Sequence, residues 1–168
     1  MAALLGGGHQ FPTEAALYYL IAYSVTTIAA FGALALVTGE GSEAETTELR
    51  QLRGLFWRQP AVSLLMLVAL LSLAGIPLTA GFIAKFYIVG TAVAGGNWVL
   101  LGSLVIGSGI GIYYYLRVVL QMAERPETSA AATPGRWPTA ALSGVLIGAV
   151  LWLGIFPQTL MAYLRSIL

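Results

Sequence analysis

Lys85 is the single lysine among 168 residues, and it stands in an apolar stretch whose helix is interrupted a few residues earlier. The stretch 71–87 reads L-S-L-A-G-I-P-L-T-A-G-F-I-A-K-F-Y. A lysine held charged at the centre of a bilayer costs about 2.5–3.5 kcal/mol on insertion scales. Holding it neutral at pH 7 costs about 4.6 kcal/mol, taking an ordinary pKa near 10.4 and about 1.36 kcal/mol per unit. These costs are comparable, so modest changes in hydration or nearby charge tip the balance. A group so poised can load and release a proton.

The interruption supplies a second requirement. Pro77 has no N–H to give the preceding turn, and Gly75 weakens the helix further. Carbonyls freed in lipid must meet water or protein donors, so a hydrated pocket is expected beside Lys85. Ser72 and Thr79 add hydroxyls that hold water there. A broken helix carrying one ionisable group marks, by default, a site for ions, protons or substrate. Spacing alone leaves a second reading open, because a lysine near the end of a span also serves as an anchor that reaches the interface.

Other candidates are weaker. Arg117 follows Tyr113-Tyr114-Tyr115, a combination typical of an interfacial belt, so it reads as an anchor or as a secondary proton-path residue. Glu14 opens the first span, where a carboxylate suits a helix N-terminus or serves proton entry or exit. Thr26 and Thr27 face a polar axis or bond back to their own helix. His9 is expected in a loop.

Composition limits what else the chain can be. Apolar residues make up 58% and charged residues 9%, against roughly 25% charged in a soluble domain. This is an all-α integral membrane composition. A net charge of +1 gives no hint of nucleic acid, and no basic block could track phosphates, so no nucleic-acid partner is expected. With no cysteine and one histidine, the chain alone cannot hold an iron–sulfur cluster, a bis-histidine haem or a zinc site, and no cofactor or metal is expected on it.

The elements that position Lys85 follow from the need for about 20 helical residues to cross a roughly 30 Å hydrocarbon core. Four transmembrane helices are expected: 15–37, then 61–89 broken at Gly75-Pro77, then 98–117, then 137–165. Gly95-Gly96-Asn97 separates the second from the third, and Pro134-Gly135 and Pro138 lead into the fourth. Residues 1–14 read as the stub of a preceding helix and an outer loop.

Two loops carry most of the charge. In 38–60, Glu40, Glu43, Glu45 and Glu48 precede Arg50, Arg53 and Arg58, and L-R-G-L-F-W-R-Q-P has the mixture of a headgroup-layer segment. In 118–136 lie Glu124, Arg125, Glu127 and Arg136. With Arg117, the two loops collect six of the seven arginines, so the positive-inside rule puts both loops in the cytoplasm and both termini outside.

Small residues recur every fourth position at Ser103, Gly107 and Gly111 and at Ala140, Gly144 and Gly148. Such faces let helices approach closely in lipid, either within the chain or against another subunit.

Residues 72–87 and G-S-G-I-G-I-Y-Y-Y-L-R-V at 107–118 closely resemble the subunit N family of the proton-pumping NADH:quinone oxidoreductase, respiratory complex I. Y-L-I-A-Y-S-V-T-T-I-A-A-F-G-A at 19–33 and R-G-L-F-W-R-Q-P at 53–60 extend the resemblance from about Glu14 nearly to the C-terminus. The lysine-bearing broken helix is shared with related antiporter-like subunits, including those of Mrp cation/proton antiporters.

The resemblance implies an antiporter-like bundle in which Lys85 belongs to the polar axis of the membrane arm. It implies a bacterial-type plasma membrane and a cytoplasmic 53–60 segment. NADH, FMN, iron–sulfur clusters and quinone are then expected on partner subunits. The expected partners are other membrane-arm subunits, both antiporter-like neighbours and small membrane subunits. The chain looks like the last four spans of a longer subunit, and with one deep ionisable group it is not a whole pump. The rival readings are a piece of a Mrp-type antiporter and a non-transporting membrane scaffold.

Overall fold

The computed structural model describes residues 10–38, 52–125 and 137–167. The N-terminal stub with His9, the glutamates and Arg50 of the first charged loop, and Glu127 and Arg136 of the second lie outside the described residues.

Among the described residues the chain is helical without strands: α1 (Gln10–Thr38), α2 (Leu55–Arg58), α3 (Pro60–Ala74), α4 (Ala80–Ala94), α5 (Trp98–Ala123), α6 (Trp137–Ile155) and α7 (Pro157–Ile167). Among the described residues three helices are long and apolar enough to cross a membrane: α1 over Pro12–Val37, α5 and α6. The shorter apolar helices α3 and α4 have 15 residues each, or about 22 Å apiece. Together they form a broken fourth crossing, with the break near its middle. Pro60 occupies the first turn of α3, where its missing N–H is no loss. Asn97 caps α5 by accepting the N–H of Leu100 at 3.1 Å.

Four boundaries differ from the sequence expectation. The broken crossing, expected to end at 89, runs on to Ala94 at the end of α4. The stretch 137–165 is two helices, because Pro157 cannot continue α6. The 11-residue α7 is amphipathic and too short to cross; it buries Met161 and Leu164 and packs on α1 and α6. Helix α5 continues past 117 to Ala123, which puts Arg117 inside a helix. Helix α1 starts at Gln10, so Glu14 lies one turn inside it.

Close packing comes from alanine. Ala15, Ala22, Ala29 and Ala33 of α1 are fully buried, as are Ala69 of α3 and Ala80 of α4. Helix α1 packs on α3, α4 and α6 through such side chains, which let backbones approach where lipid offers no hydrophobic drive. The glycine stripes do something else. A Cβ placed on Gly107, Gly144 or Gly148 would meet nothing within 4 Å, so among the described residues these glycines pack against no other helix. Backbones touch at two other glycines. A Cβ on Gly81 would lie 1.9 Å from the Ser72 carbonyl oxygen, and one on Gly154 would lie 2.4 Å from that of Leu78.

The remaining charges settle at the two ends of the bundle. At one end, the α2 segment docks on the end of α5: Gly54 N–H donates to the Gln121 carbonyl at 3.3 Å, Arg53 pairs with Glu124, and the Arg125 guanidinium lies 5.6 Å above the Trp57 ring. The described parts of both charged loops therefore share one end. At the other end, Arg165 of α7 pairs with Glu14 of α1 at 2.9 Å.

The glycine geometry yields a test. Gly81→Ala and Gly154→Ala each force backbone apart, at about 1–3 kcal/mol as for other overpacked interiors. Gly144→Ala and Gly148→Ala are near neutral. Thermal unfolding of the purified protein in detergent should rank the first pair well below the second.

Candidate functional site

The C-terminal end of α3 leaves the carbonyls of its last turn short of helical N–H partners. Gly75, at φ 85°, closes the helix with a Schellman turn. Its N–H reaches the Ser72 and Leu71 carbonyls, and Ile76 N–H reaches Leu71, all at 3.0 Å. The left-handed φ suits glycine. A Cβ here would also sit 2.9 Å from Cδ of Lys85. Leu73 would ordinarily bond to the N–H of residue 77, but residue 77 is proline. Lys85 fills the gap, with Nζ donating to the Leu73 carbonyl at 2.9 Å and to the Ala74 carbonyl at 3.0 Å. The side chain points back to the break, away from the far end of α4.

Beyond Pro77, Leu78 adopts φ 75°, a left-handed conformation that costs a branched residue on the order of 1–3 kcal/mol. Surrounding contacts hold it there. Thr79 N–H and hydroxyl both return to the Ile76 carbonyl, at 3.4 and 2.7 Å, and Gly154 of α6 lies directly against the Leu78–Thr79 backbone.

A buried hydroxyl chain joins the two half-helices to α1. Gly81 N–H donates to Ser72 Oγ at 3.0 Å, Ser72 and Thr26 hydroxyls lie 3.1 Å apart, and Thr26 donates to the Ala22 carbonyl at 2.7 Å. Thr26 has one proton and gives it to Ala22, so Ser72 donates to Thr26. Every donor in this chain has an acceptor, as an apolar interior requires.

A cavity of about 250 Å³ opens between α1, the break and α5, bordered by Lys85, Tyr19, Tyr23, Ser103, Ser108 and Tyr115. Several waters fit, at about 30 Å³ each. Gly107 and Gly111 also border it, which explains what the α5 stripe does: it leaves space beside the lysine where larger residues would fill it. Two of the three ammonium N–H groups are taken by carbonyls. Among the described residues the third has no carbonyl partner, and Lys85 borders the cavity. The lining offers hydroxyls and one amine, a donor set suited to holding water and a proton.

The structure brings together Lys85, Gly75, Pro77, Ser72 and Thr26. It does not bring in Thr79, whose hydroxyl turns to its own turn. Nor does it bring in Glu14, which is buried and paired with Arg165 about 18 Å along α1 from Thr26, at the helical rise of about 1.5 Å per residue. Arg117 is exposed at the other end of the bundle. The Thr27 hydroxyl is buried without a hydrogen-bond partner. Sequence reasoning found Ser72 but missed Tyr19, Tyr23, Ser103, Ser108 and Tyr115 as cavity residues. Their signal was present: Tyr19, Tyr23 and Thr26 share one helical face, and Tyr115 extends the four-residue spacing of Ser103, Gly107 and Gly111.

Residues 1–111 match the family described as NADH:quinone oxidoreductase/Mrp antiporter, TM. Among curated proteins, the chain is 41% identical over 156 residues to NADH-quinone oxidoreductase subunit N of Chromohalobacter salexigens, covering 90% of this chain and 33% of that protein. It is 43% identical over 148 residues to the protein of the same name from Methylococcus capsulatus, covering 88% of this chain and 29% of that protein. The chain thus spans about a third of the length of these curated relatives. Among solved structures, it superposes on a chain of respiratory complex I from Thermus thermophilus with bound aureothin. The TM-score is 0.70 at 32% identity, covering 86% of this chain and 34% of that one.

The hydroxyl chain makes a further prediction. Ser72→Ala removes the acceptor of Gly81 N–H and the donor to Thr26, costing about 1–3 kcal/mol for a buried group left unpaired. Thr79→Ala removes only a bond within its own turn and costs less. Equilibrium unfolding in mild detergent compares the two.

Proposed function

This chain belongs to the NADH:quinone oxidoreductase/Mrp antiporter transmembrane family, and we propose that it forms part of the membrane arm of a proton-pumping NADH:quinone oxidoreductase, most like subunit N, with Lys85 taking up and releasing a proton at mid-membrane. The observation that carries this reading is the position of the Lys85 ammonium, held on two carbonyls at the break beside a hydroxyl-lined cavity.

The geometry suits repeated transfer. A neutral amine can keep both N–H bonds to Leu73 and Ala74, leaving its lone pair in the third position to take a proton from cavity water. The nitrogen then stays in place through both protonation states. The negative end of the α3 dipole favours the charge by up to about 2 kcal/mol in a partly buried setting. A unit charge moving to about 10 Å away changes the balance by about 1.7 kcal/mol at an effective dielectric near 20. That is similar to the difference between the two lysine costs before the dipole is added, so charge movement in neighbouring subunits biases whether Lys85 holds its proton.

In this reading the end with α2 and the two charged loops faces the cytoplasm, following the arginine excess there. NADH, FMN, iron–sulfur clusters and quinone belong to partner subunits, and this chain takes part in a translocase without holding a redox group. Neighbouring antiporter-like and small membrane subunits are its partners.

Lys85 both caps α3 and is proposed to move protons, and Lys85→Arg separates these roles. Arginine keeps the carbonyl bonds but is effectively never deprotonated. In the complete complex, Lys85→Arg should assemble normally on native gels yet lose NADH-driven proton uptake into inside-out vesicles. The loss should be roughly tenfold or more, the effect of about 1.4 kcal/mol on a rate. Lys85→Ala should lose both stability and pumping. Wild-type pumping by Lys85→Arg overturns the relay and leaves a scaffold. Proton exchange that needs sodium instead of NADH points to a Mrp-type antiporter.

A further inference from the structure

We infer that Tyr18 is a positioning residue for Lys85: its hydroxyl holds the end of α6 against the α3–α4 break and so fixes the two carbonyls on which the ammonium rests. The inference rests on the proposed role of Lys85 as a proton carrier.

Pro157 does to α6 what Pro77 does to the broken crossing. The carbonyl of Leu153 would ordinarily accept the N–H of residue 157, and proline has none. Tyr18, 135 residues away in sequence, donates its hydroxyl to that carbonyl at 2.5 Å. Tyr18 is fully buried, and its ring meets Tyr87 of α4 edge-on at 5.1 Å between centroids. Tyr87 lies two residues beyond Lys85. One side chain of α1 therefore grips both α6 and α4.

What Tyr18 grips is next to what matters. Gly154 follows Leu153, and Gly154 is the residue pressed against the backbone of Leu78 and Thr79, so closely that a Cβ would come within 2.4 Å. Leu78 is the strained residue of the break, at φ 75°, and it relaxes if that pressure is removed. The Leu73 and Ala74 carbonyls lie immediately before the break. A loosened α6 end lets Leu78 turn, those carbonyls reorient, and the surroundings of Lys85 change. The titratable groups facing Lys85 across the cavity are Tyr19 and Tyr23 of α1 and Tyr115 of α5. None of these is altered when Tyr18 loses its hydroxyl.

The test uses the complete complex and reads Lys85 directly. Lys85 is the only lysine of this chain, so the peptide carrying it reports its amine reactivity without overlap. Competitive labelling with acetic anhydride across a pH series, read by mass spectrometry, gives the midpoint at which Lys85 becomes reactive. Tyr18→Phe keeps the ring contact with Tyr87 and should shift this midpoint by about one pH unit. Adding Pro157→Ala restores a backbone N–H for Leu153 and should return the midpoint towards the wild-type value. If the single variant fails to assemble, the double variant should restore assembly. A wild-type midpoint in Tyr18→Phe overturns the inference, as does a defect that Pro157→Ala leaves unrelieved. Unimpaired pumping by Lys85→Arg removes the relay instead and leaves the labelling result standing, so the two failures are distinguishable.

Discussion

A carbonyl inside a bilayer has no water to turn to, and each one left without a donor costs several kcal/mol. Two prolines in this chain create such carbonyls, one at Leu73 and one at Leu153. Both are answered by a side chain from elsewhere: Lys85 reaches back across the break, and Tyr18 reaches across from α1. These two bonds, together with the Schellman turn at Gly75 and the chain from Gly81 through Ser72 and Thr26, account for the interrupted backbone around the candidate site. The interruption is therefore a built feature in which the carbonyl orphaned by each proline has an assigned partner.

That assignment explains why the helices pack as they do. For Gly81 N–H to reach Ser72 Oγ, the start of α4 must lie directly on the end of α3, which only glycine at 81 permits. For Tyr18 to reach Leu153, α1 must come close to α6, and the fully buried alanines on α1 allow it. Helix α5 follows another rule. Its small residues border space, and that space is the cavity beside the ammonium. Alanine serves contact here and glycine at 107 and 111 serves volume, although spacing in a sequence treats both as packing faces.

Much of this was legible beforehand. Low charge and long apolar runs expose the membrane crossings, and Gly75-Ile76-Pro77 exposes the break, because proline and glycine act on the backbone whatever the tertiary setting. Residues 72–87 and 107–118 carried the family resemblance that the comparison with residues 1–111 bears out. The division of α6 from α7 was less legible, since Trp152, Leu153, Ile155 and Phe156 keep the stretch apolar up to Pro157 and hide a turn from hydropathy. Tyr18 was not legible at all. Its partner lies 135 residues away, and nothing local marks one tyrosine among several on α1 as the one that meets a proline-orphaned carbonyl.

The depth of Lys85 shows most clearly what three-dimensional closure adds. Counted along a straight helix from the start of the second crossing, Lys85 falls near the far surface, where an anchoring lysine belongs. The break changes the geometry, because the side chain runs back towards α3 and its nitrogen bonds carbonyls eleven and twelve residues earlier in the chain. An anchor gains by extending to water at the helix end, whereas this ammonium turns back to the break between α3 and α4. It does so because Pro77 has left a carbonyl there that needs a donor, and the same bond keeps the nitrogen beside a hydroxyl-lined cavity with room for water. A structural need for a donor and a chemical opportunity for proton transfer thus fall on one nitrogen, and the proline that makes the first is what makes the second available.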